Sequence, residues 1–191
     1  MPEKTASADR HPDITKVTIG TRQIQARCKK LGAEITRAYE GRELMVVVVL
    51  KGAFMFASDL VRYIDLPMQV DFLAVSSYGD STKSSGTVRI LKDLQKDVLG
   101  KDVLMVEDIV DTGLTLAYLR QMLTDRHPRS LATASLLDKK VCRKVEVPVE
   151  FVGFEVANEF LVGYGLDFTQ RYRNLPFIGV LRPEIYQQHP E

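Results

Sequence analysis

Between Val103 and Thr115 the chain reads VLMVEDIVDTGLT. An apolar, largely aliphatic run stops at two adjacent carboxylates, Glu107 and Asp108. A third, Asp111, follows two aliphatic residues later, and Thr112, Gly113, Leu114 and Thr115 come directly after it. Paired carboxylates are hard oxygen donors, suited to Mg²⁺ or to the hydroxyls of a sugar. Asp111 or Thr112 can cap the first turn of a following helix, and Gly113 lets the backbone approach a ligand closely. A helix N-terminus presents backbone N–H groups that have no intrahelical partner, which makes an anion site. An acidic pair beside such a cradle fits a ligand carrying both a ribose and a 5′-phosphate.

The elements that must position these groups follow from the hydrophobic period. Ile24, Cys28, Leu31, Ile35 and Ala38 recur at intervals of three and four, which predicts an amphipathic helix over 21–39. LMVVVVL (44–50) is too apolar to have a wet face and reads as a strand of a parallel sheet. A helix over 54–64 and a strand over 70–76 come next. The segment 77–87, SYGDSTKSSGT, is polar and aperiodic; a loop of that length inside a compact domain is usually functional. A strand over 88–94 closes it as a hairpin. The strand 103–107, a helix over 114–125, and strands over 131–137 and 149–156 continue the alternation. The pattern predicts an α/β fold with an open, doubly wound, mostly parallel sheet. In such sheets ligands bind outside the carboxyl ends of the strands, where strand order reverses. The acids are expected at one of those ends.

Composition bounds the function. A chain of 191 residues with a formal net charge of +1 is expected to form one domain over 14–191, preceded by a flexible arm over 1–13. Near-neutrality argues against nucleic-acid and membrane-surface partners. No apolar run is long enough to span a bilayer, and the polar N-terminus lacks an apolar signal core, so a cytoplasmic location is expected. Cys28 and Cys142 are too few for a disulfide framework and too far apart for a metal pair. His11, His127 and His189 lie in polar, Pro-flanked segments.

The string of apolar residues, two acids, two aliphatics, Asp-Thr-Gly and a hydroxyl residue resembles the diphosphoribosyl-binding signature of the type I phosphoribosyltransferases. Leu114 stands where purine-salvage members often carry Lys; that position contributes chiefly its backbone N–H. The resemblance extends from about residue 14 along nearly the whole chain and is greatest to the hypoxanthine(-guanine) phosphoribosyltransferases. Leu50-Lys51-Gly52 resembles their pyrophosphate-binding turn, in which the Leu-Lys peptide is typically cis. Ser77-Tyr78 resembles the start of their mobile lid. Lys139 matches the lysine that donates to O6 of a 6-oxopurine, with Lys140 as its solvated neighbour. Phe160 matches the aromatic that stacks on the purine, Leu161 offers backbone groups to the base edge, Asp167 matches a second Mg²⁺-associated carboxylate near the base, and Arg173 matches a pyrophosphate-binding arginine. Singly, each admits a structural role, as cap, core aromatic or solvated charge; their joint occurrence in chain order carries the resemblance.

The resemblance implies the type I phosphoribosyltransferase fold, with flanking helices and a small hood formed by the terminal segments. It implies Mg²⁺-dependent purine salvage: transfer of 5-phosphoribosyl from phosphoribosyl diphosphate to N9 of hypoxanthine, and of guanine, giving IMP or GMP and pyrophosphate. Glu107, Asp108 and Asp167 are the implied metal-associated acids. Thr112 to Thr115 bind the 5′-phosphate, and Asp111 is the implied base near purine N7. A homodimer or homotetramer is also implied. Alternatives are a phosphoribosyltransferase for xanthine, adenine or a pyrimidine, and a nucleotide-sensing, RNA-binding regulator on the same fold. A Mg²⁺-binding receiver domain would place its acids early in the chain, not at 107–111.

Overall fold

The computed structural model describes residues 11–77 and 88–187. In chain order these form β1 (Ile14–Ile19), α1 (Thr21–Ala38), β2 (Leu44–Leu50), α2 (Phe54–Leu60), β3 (Met68–Ser77), β4 (Val88–Lys92), β5 (Asp102–Val110), α3 (Leu114–Thr124), β6 (Ser130–Asp138), β7 (Phe151–Glu155), β8 (Leu161–Val162), β9 (Ile178–Leu181) and α4 (Pro183–Gln187). Six strands make one open sheet in the order β4-β3-β2-β5-β6-β7. All its neighbours are parallel except the β3–β4 hairpin at one edge. No described helix is long and apolar enough to cross a membrane.

The expected double winding is present, and the apolar run of β2 shows why. Leu44, Val46 and Val48 face a core shared with α1 and α2, whereas Met45, Val47 and Val49 face a second core shared with α3. A strand covered on both faces has no place for polar alternation. From β2 the chain first winds toward β3 and β4, then returns across β2 to lay β5 on its other side. The reversal therefore lies between β2 and β5. Their pairing ends at Val48 opposite Val106, so the last residues of β5 have no β2 neighbour and line an open crevice.

Several boundaries differ from those predicted. β5 does not stop at the acids but runs through them to Val110, because β6 extends beside it and pairs Glu107 with Ser135 and Val110 with Asp138. The helix predicted over 54–64 ends at Leu60 and tightens into a 3₁₀ turn over Val61–Tyr63. β1, β8, β9 and α4 are too short or too irregular in pattern to be read from the sequence. β1, β9 and β8 form a separate antiparallel three-stranded sheet, the hood, over its own core of Ile14, Val162, Phe168, Tyr172, Phe177 and Leu181. Within the segment expected as an arm, residues 11–13 are held: the Tyr172 hydroxyl donates to Asp13 Oδ2 at 2.9 Å, and the His11 ring meets the Tyr172 ring edge-on.

Packing of α1 generates a test. Gly32 faces the 3₁₀ turn so closely that a Cβ would lie 2.5 Å from Tyr63 Cβ and 2.6 Å from the Tyr63 carbonyl oxygen. In an open helix, replacing Gly with Ala gains about 1 kcal/mol of helix propensity. Here the clash reverses the sign, since overpacking costs about 1–3 kcal/mol. Gly32→Ala is expected to lower the melting temperature by several degrees; an unchanged or raised value would show that the turn yields freely.

Candidate active site

The site is built from four backbone segments that meet at the sheet's reversal. The first follows β2, where the Leu50–Lys51 peptide is cis, as in the resembled turn. Gly52 lies directly beneath the acids: a Cβ there would fall 1.5 Å from Asp108 Oδ2. Only a residue without a side chain fits under that carboxylate. Lys51 projects from the same turn and donates from Nζ to Gln170 Oε1 at 3.2 Å.

The second segment is the end of β5. Glu107 is buried and Asp108 half-buried, and among the described residues neither makes a side-chain ion pair. Burial, together with the neighbouring Asp108 charge, pushes the Glu107 carboxyl well above the usual carboxylate range. Burial also lifts Asp108 to about 6, with Asp167 adding to the rise; the Ile109 amide and Arg173 act in the opposite direction. Desolvation disfavours the charged form of an acid that lacks a counterion. Two such groups facing a cavity are poised to accept a cation or hydroxyl donors.

The third segment turns from β5 into α3. Neither Asp111 nor Thr112 caps the helix as the sequence suggested. The cap position is Gly113, in the left-handed region at φ 84°, with no side-chain cap bond. Thr112 Oγ1 only approaches the Leu114 amide, at 3.5 Å. The first intrahelical donor is Ala117, which bonds Gly113 O at 2.9 Å, so the amides of Leu114, Thr115 and Leu116 precede any helical acceptor. Behind the turn, Lys144 N and Val145 N donate to Thr112 O at 2.9 and 3.4 Å, and Arg143 Nη1 donates to Asp111 O at 2.8 Å. The carbonyls are thus satisfied from one side. Because a trans peptide sets its N–H opposite its C=O, the amides of Thr112 and Gly113 face away from that clamp. The missing side-chain cap leaves an anion cradle.

The fourth segment is the loop between β8 and β9. Asp167 pairs with Arg173 at 2.8 Å and accepts the Gln170 amide at 2.8 Å, while Arg173 also donates to Gly165 O and Gln170 Oε1. Thr169, Gln170 and Tyr172 all have positive φ. Non-glycine residues in that region need their surroundings to hold them, and they concentrate at functional sites.

Two cavities open from these segments. One, of about 570 Å³, is lined by Lys51, Gly52, Glu107, the 111–113 turn, Thr115, Gln170 and Arg173. The other, of about 530 Å³, is lined by Lys139, Phe160, Leu161 and Tyr186. Asp108, Ile109, Asp111 and Asp167 line both. Lys139, at the end of β6, is only 8% exposed, and its Nζ lies 3.7 Å from Asp111 Oδ2. Lys140 instead points outward and pairs with Glu155, as expected of the solvated neighbour. Phe160 is 38% exposed.

The structure therefore gathers the sequence-predicted residues around one double cavity, with three qualifications. Leu114 lines neither cavity, Ser77 is simply the last residue of β3, and Tyr78 lies outside the described residues. Arg143, Gln170, Ile109 and Tyr186 were not anticipated. Arg143 sits in the basic stretch KKVCRK, which reads as a solvated charge run; its pairing with the buried Asp138 at 2.5 Å and its bond to Asp111 O distinguish it.

A phosphate cradle, an unpartnered acidic pair and two cations at the switch point of a doubly wound sheet define a nucleotide- or sugar-phosphate-binding α/β protein. The comparisons make this specific. Residues 20–169 match the phosphoribosyl transferase domain. The chain is 53% identical over 182 residues to the hypoxanthine-guanine phosphoribosyltransferase of Mycobacterium avium, covering 92% of this chain and 90% of that one. It is 50% identical over 175 residues to the enzyme of the same name from Bacillus subtilis, covering 92% and 97%. A hypoxanthine phosphoribosyltransferase structure from Staphylococcus aureus superposes with a TM-score of 0.88 at 46% identity, covering 91% and 95%. The chain belongs to the phosphoribosyltransferase family and has its type I fold.

The acid pair generates a prediction in pH. A carboxyl whose folded pKa is raised opposes folding once it ionises; this opposition is absent below the unfolded pKa near 3.8 and is fully present above the folded pKa of about 6. Asp108→Asn is therefore expected to stabilise the ligand-free protein at pH 7.5 by on the order of 1–3 kcal/mol. The gain should shrink as pH falls from about 6 toward 4. Melting curves of variant and wild type across that window would test it; a pH-independent difference would mean Asp108 titrates normally.

Proposed function

We propose that the protein is a Mg²⁺-dependent hypoxanthine(-guanine) phosphoribosyltransferase of purine salvage. It takes 5-phosphoribosyl from phosphoribosyl diphosphate, delivers it to N9 of hypoxanthine or guanine, and releases pyrophosphate with IMP or GMP. The observation that supports this reading best is the junction of the two cavities at Asp108, Ile109, Asp111 and Asp167. One cavity offers cations and bare amides to phosphates; the other offers an exposed aromatic and a buried lysine to a base. The bond that forms joins a base to a sugar phosphate, so it belongs at such a junction.

The reaction separates charge. C1′ becomes cationic, in an oxocarbenium-like transition state, while negative charge grows on the departing pyrophosphate. Lys51, the Gly52 amide and Arg173 stabilise that anion in a partly water-excluded site, where preorganised donors act most strongly. The amides from Thr112 to Thr115 and the threonine hydroxyls hold the 5′-phosphate. Glu107 and Asp108 accept hydrogen bonds from the ribose hydroxyls.

Their chemistry also fits Mg²⁺, which prefers one or two carboxylates and completes its shell with substrate oxygens and water. Among the described residues no cluster of three His, Cys, Asp or Glu side chains is large enough to cage a metal alone. Glu107 and Asp108 would hold an ion that neutralises the diphosphate, while Asp167, paired with Arg173 at 2.8 Å, lines the same cavity.

Lys139, buried beside the base cavity, donates to the exocyclic oxygen of a 6-oxopurine. That pairing favours hypoxanthine and guanine over adenine, whose amino group would oppose an ammonium. Asp111 is half exposed, at 49% of its side chain, and stands near purine N7, where it takes the proton as N9 attacks. Lys139 Nζ lies 3.7 Å from its carboxylate, at the junction of the two cavities.

Incubating the protein with phosphoribosyl diphosphate, Mg²⁺ and each base in turn tests the reading: hypoxanthine and guanine should yield nucleotide and pyrophosphate, adenine should not. Turnover of adenine or a pyrimidine alone would refute it. Asp111→Asn should lower kcat by about 10²- to 10⁴-fold with little change in diphosphate affinity; an unchanged kcat would remove Asp111 from proton transfer.

A further inference from the structure

Phe160 is the proposed stacking platform, yet it stands just ahead of the two-residue strand β8, outside any long element. A ring that must meet a planar base needs its own plane fixed, because a loosely held rotamer spends binding energy on ordering. Two other rings fix it. Phe168 meets Phe160 edge-on, with centroids 5.6 Å apart and planes at 87°; Tyr186 stacks on it face-to-face, with centroids 4.8 Å apart and planes at 14°. Aromatic pairs favour both arrangements. A stacking distance of 4.8 Å leaves no room for a base between the two rings. Tyr186 therefore takes one face of Phe160, so a base can stack only on the opposite face.

Tyr186 belongs to α4, a helix of five residues that could not hold a ring in place by itself. Its anchorage comes from the other end of the chain. Arg182 N donates to Asp13 O at 2.9 Å and Arg182 Nε to Pro12 O at 2.6 Å, immediately ahead of α4. Asp13 is in turn held by the Tyr172 hydroxyl at 2.9 Å. Ile185 and Tyr186 pack on the hood core. The Phe160 carbonyl is tied to the same sheet by Leu181 N at 2.9 Å. Residues 12–13 and 182–186 thus converge behind the aromatic proposed to face the base.

We propose that Tyr186 is a positioning residue for purine recognition: by backing Phe160 it fixes the plane on which the base stacks, without touching the phosphoribosyl half of the site. This rests on the phosphoribosyltransferase reading above and deepens it, assigning the C-terminal helix to base affinity. Tyr186 lines the base cavity with Phe160, but it does not line the cavity that holds Lys51, Glu107 and Arg173. Its influence should divide the two substrates.

Steady-state kinetics and melting curves of the full chain test this with three variants. Tyr186→Ala should raise the KM for hypoxanthine about five- to tenfold, the effect of losing one good aromatic stack, while the KM for phosphoribosyl diphosphate stays within twofold. Tyr186→Phe should behave as wild type, since the ring and not the hydroxyl does the backing. Tyr186→Leu keeps the apolar contact with the hood but cannot stack, so it should reproduce the alanine effect even if the alanine variant proves unstable. A folded Tyr186→Leu protein with an unchanged hypoxanthine KM would overturn the proposal, and so would equal rises in both KM values. A wild-type chain inert toward every base would remove the phosphoribosyltransferase reading and this proposal together. An active wild type with indifferent variants would remove this proposal alone.

Discussion

Within one strand the same side-chain type is held in two opposite electrostatic states, and the site depends on that difference. Asp102, at the start of β5, is fully buried. Burial alone would raise its pKa, but hydrogen bonds from Ser130 at 2.6 Å and Arg129 at 2.5 Å outweigh this and hold it below the usual range. Asp108, six residues on, has no side-chain donor among the described residues, only the Ile109 amide at 2.8 Å, and is lifted to about 6. The first carboxylate is neutralised by the fold and contributes to structure. The second, with Glu107, is left for something outside the fold to neutralise. Natural proteins tolerate a destabilised group where function requires it, and the backbone here is arranged to keep this one in place.

That arrangement is mutual. Asp108 sits on the backbone of Gly52, and a Cβ on Gly165 would meet the Gly52 carbonyl oxygen at 2.1 Å. The turn after β2 is therefore sandwiched between the acidic strand and the loop carrying Asp167 and Arg173. Two glycines let the Asp108 side chain and two backbone segments approach within van der Waals contact, which brings Lys51 and Arg173 onto one acceptor, Gln170 Oε1, at 3.2 Å each. On the opposite side, Arg143 to Val145 occupy the carbonyls of the 111–113 turn. The cations and the amides thus face the same cavity from two sides, with the acids along its floor.

The sheet was legible because its signals are strong. A seven-residue aliphatic run such as β2 has few alternatives to a doubly covered parallel strand, and the acidic turn after it in the sheet follows a spacing that few chains carry. The hood was not legible from pattern. β8 is two residues long and β9 four; such strands exist because they pair with β1 from the far end of the chain, and no local period records that. The capping error at Asp111 and Thr112 has a similar origin. Local propensity favours a side-chain cap there, but carbonyl partners thirty residues downstream set the turn's orientation. Arg143 and Tyr186 were missed for the same reason: a charge in a basic run and an aromatic near a terminus reveal their roles only through distant partners.

The three acids of the turn also show how one short segment can serve unlike purposes. Glu107 and Asp108 lie in the strand, where β6 runs alongside and leaves Glu107 buried and Asp108 half-buried. Asp111 lies one residue past the strand, where solvent and Lys139 both reach it. Strand geometry alternates side chains across the sheet, whereas the turn breaks that alternation and sends Asp111 toward the second cavity. If β5 ended at the acids, as the sequence suggested, all three carboxylates would be solvated and close to equivalent. Because β6 carries pairing on to Val110, opposite Asp138, the first two are raised toward neutrality, while Asp111 lies past the strand within reach of solvent. The extra strand residues, and not the acids alone, separate the sugar-binding and proton-accepting roles proposed for them.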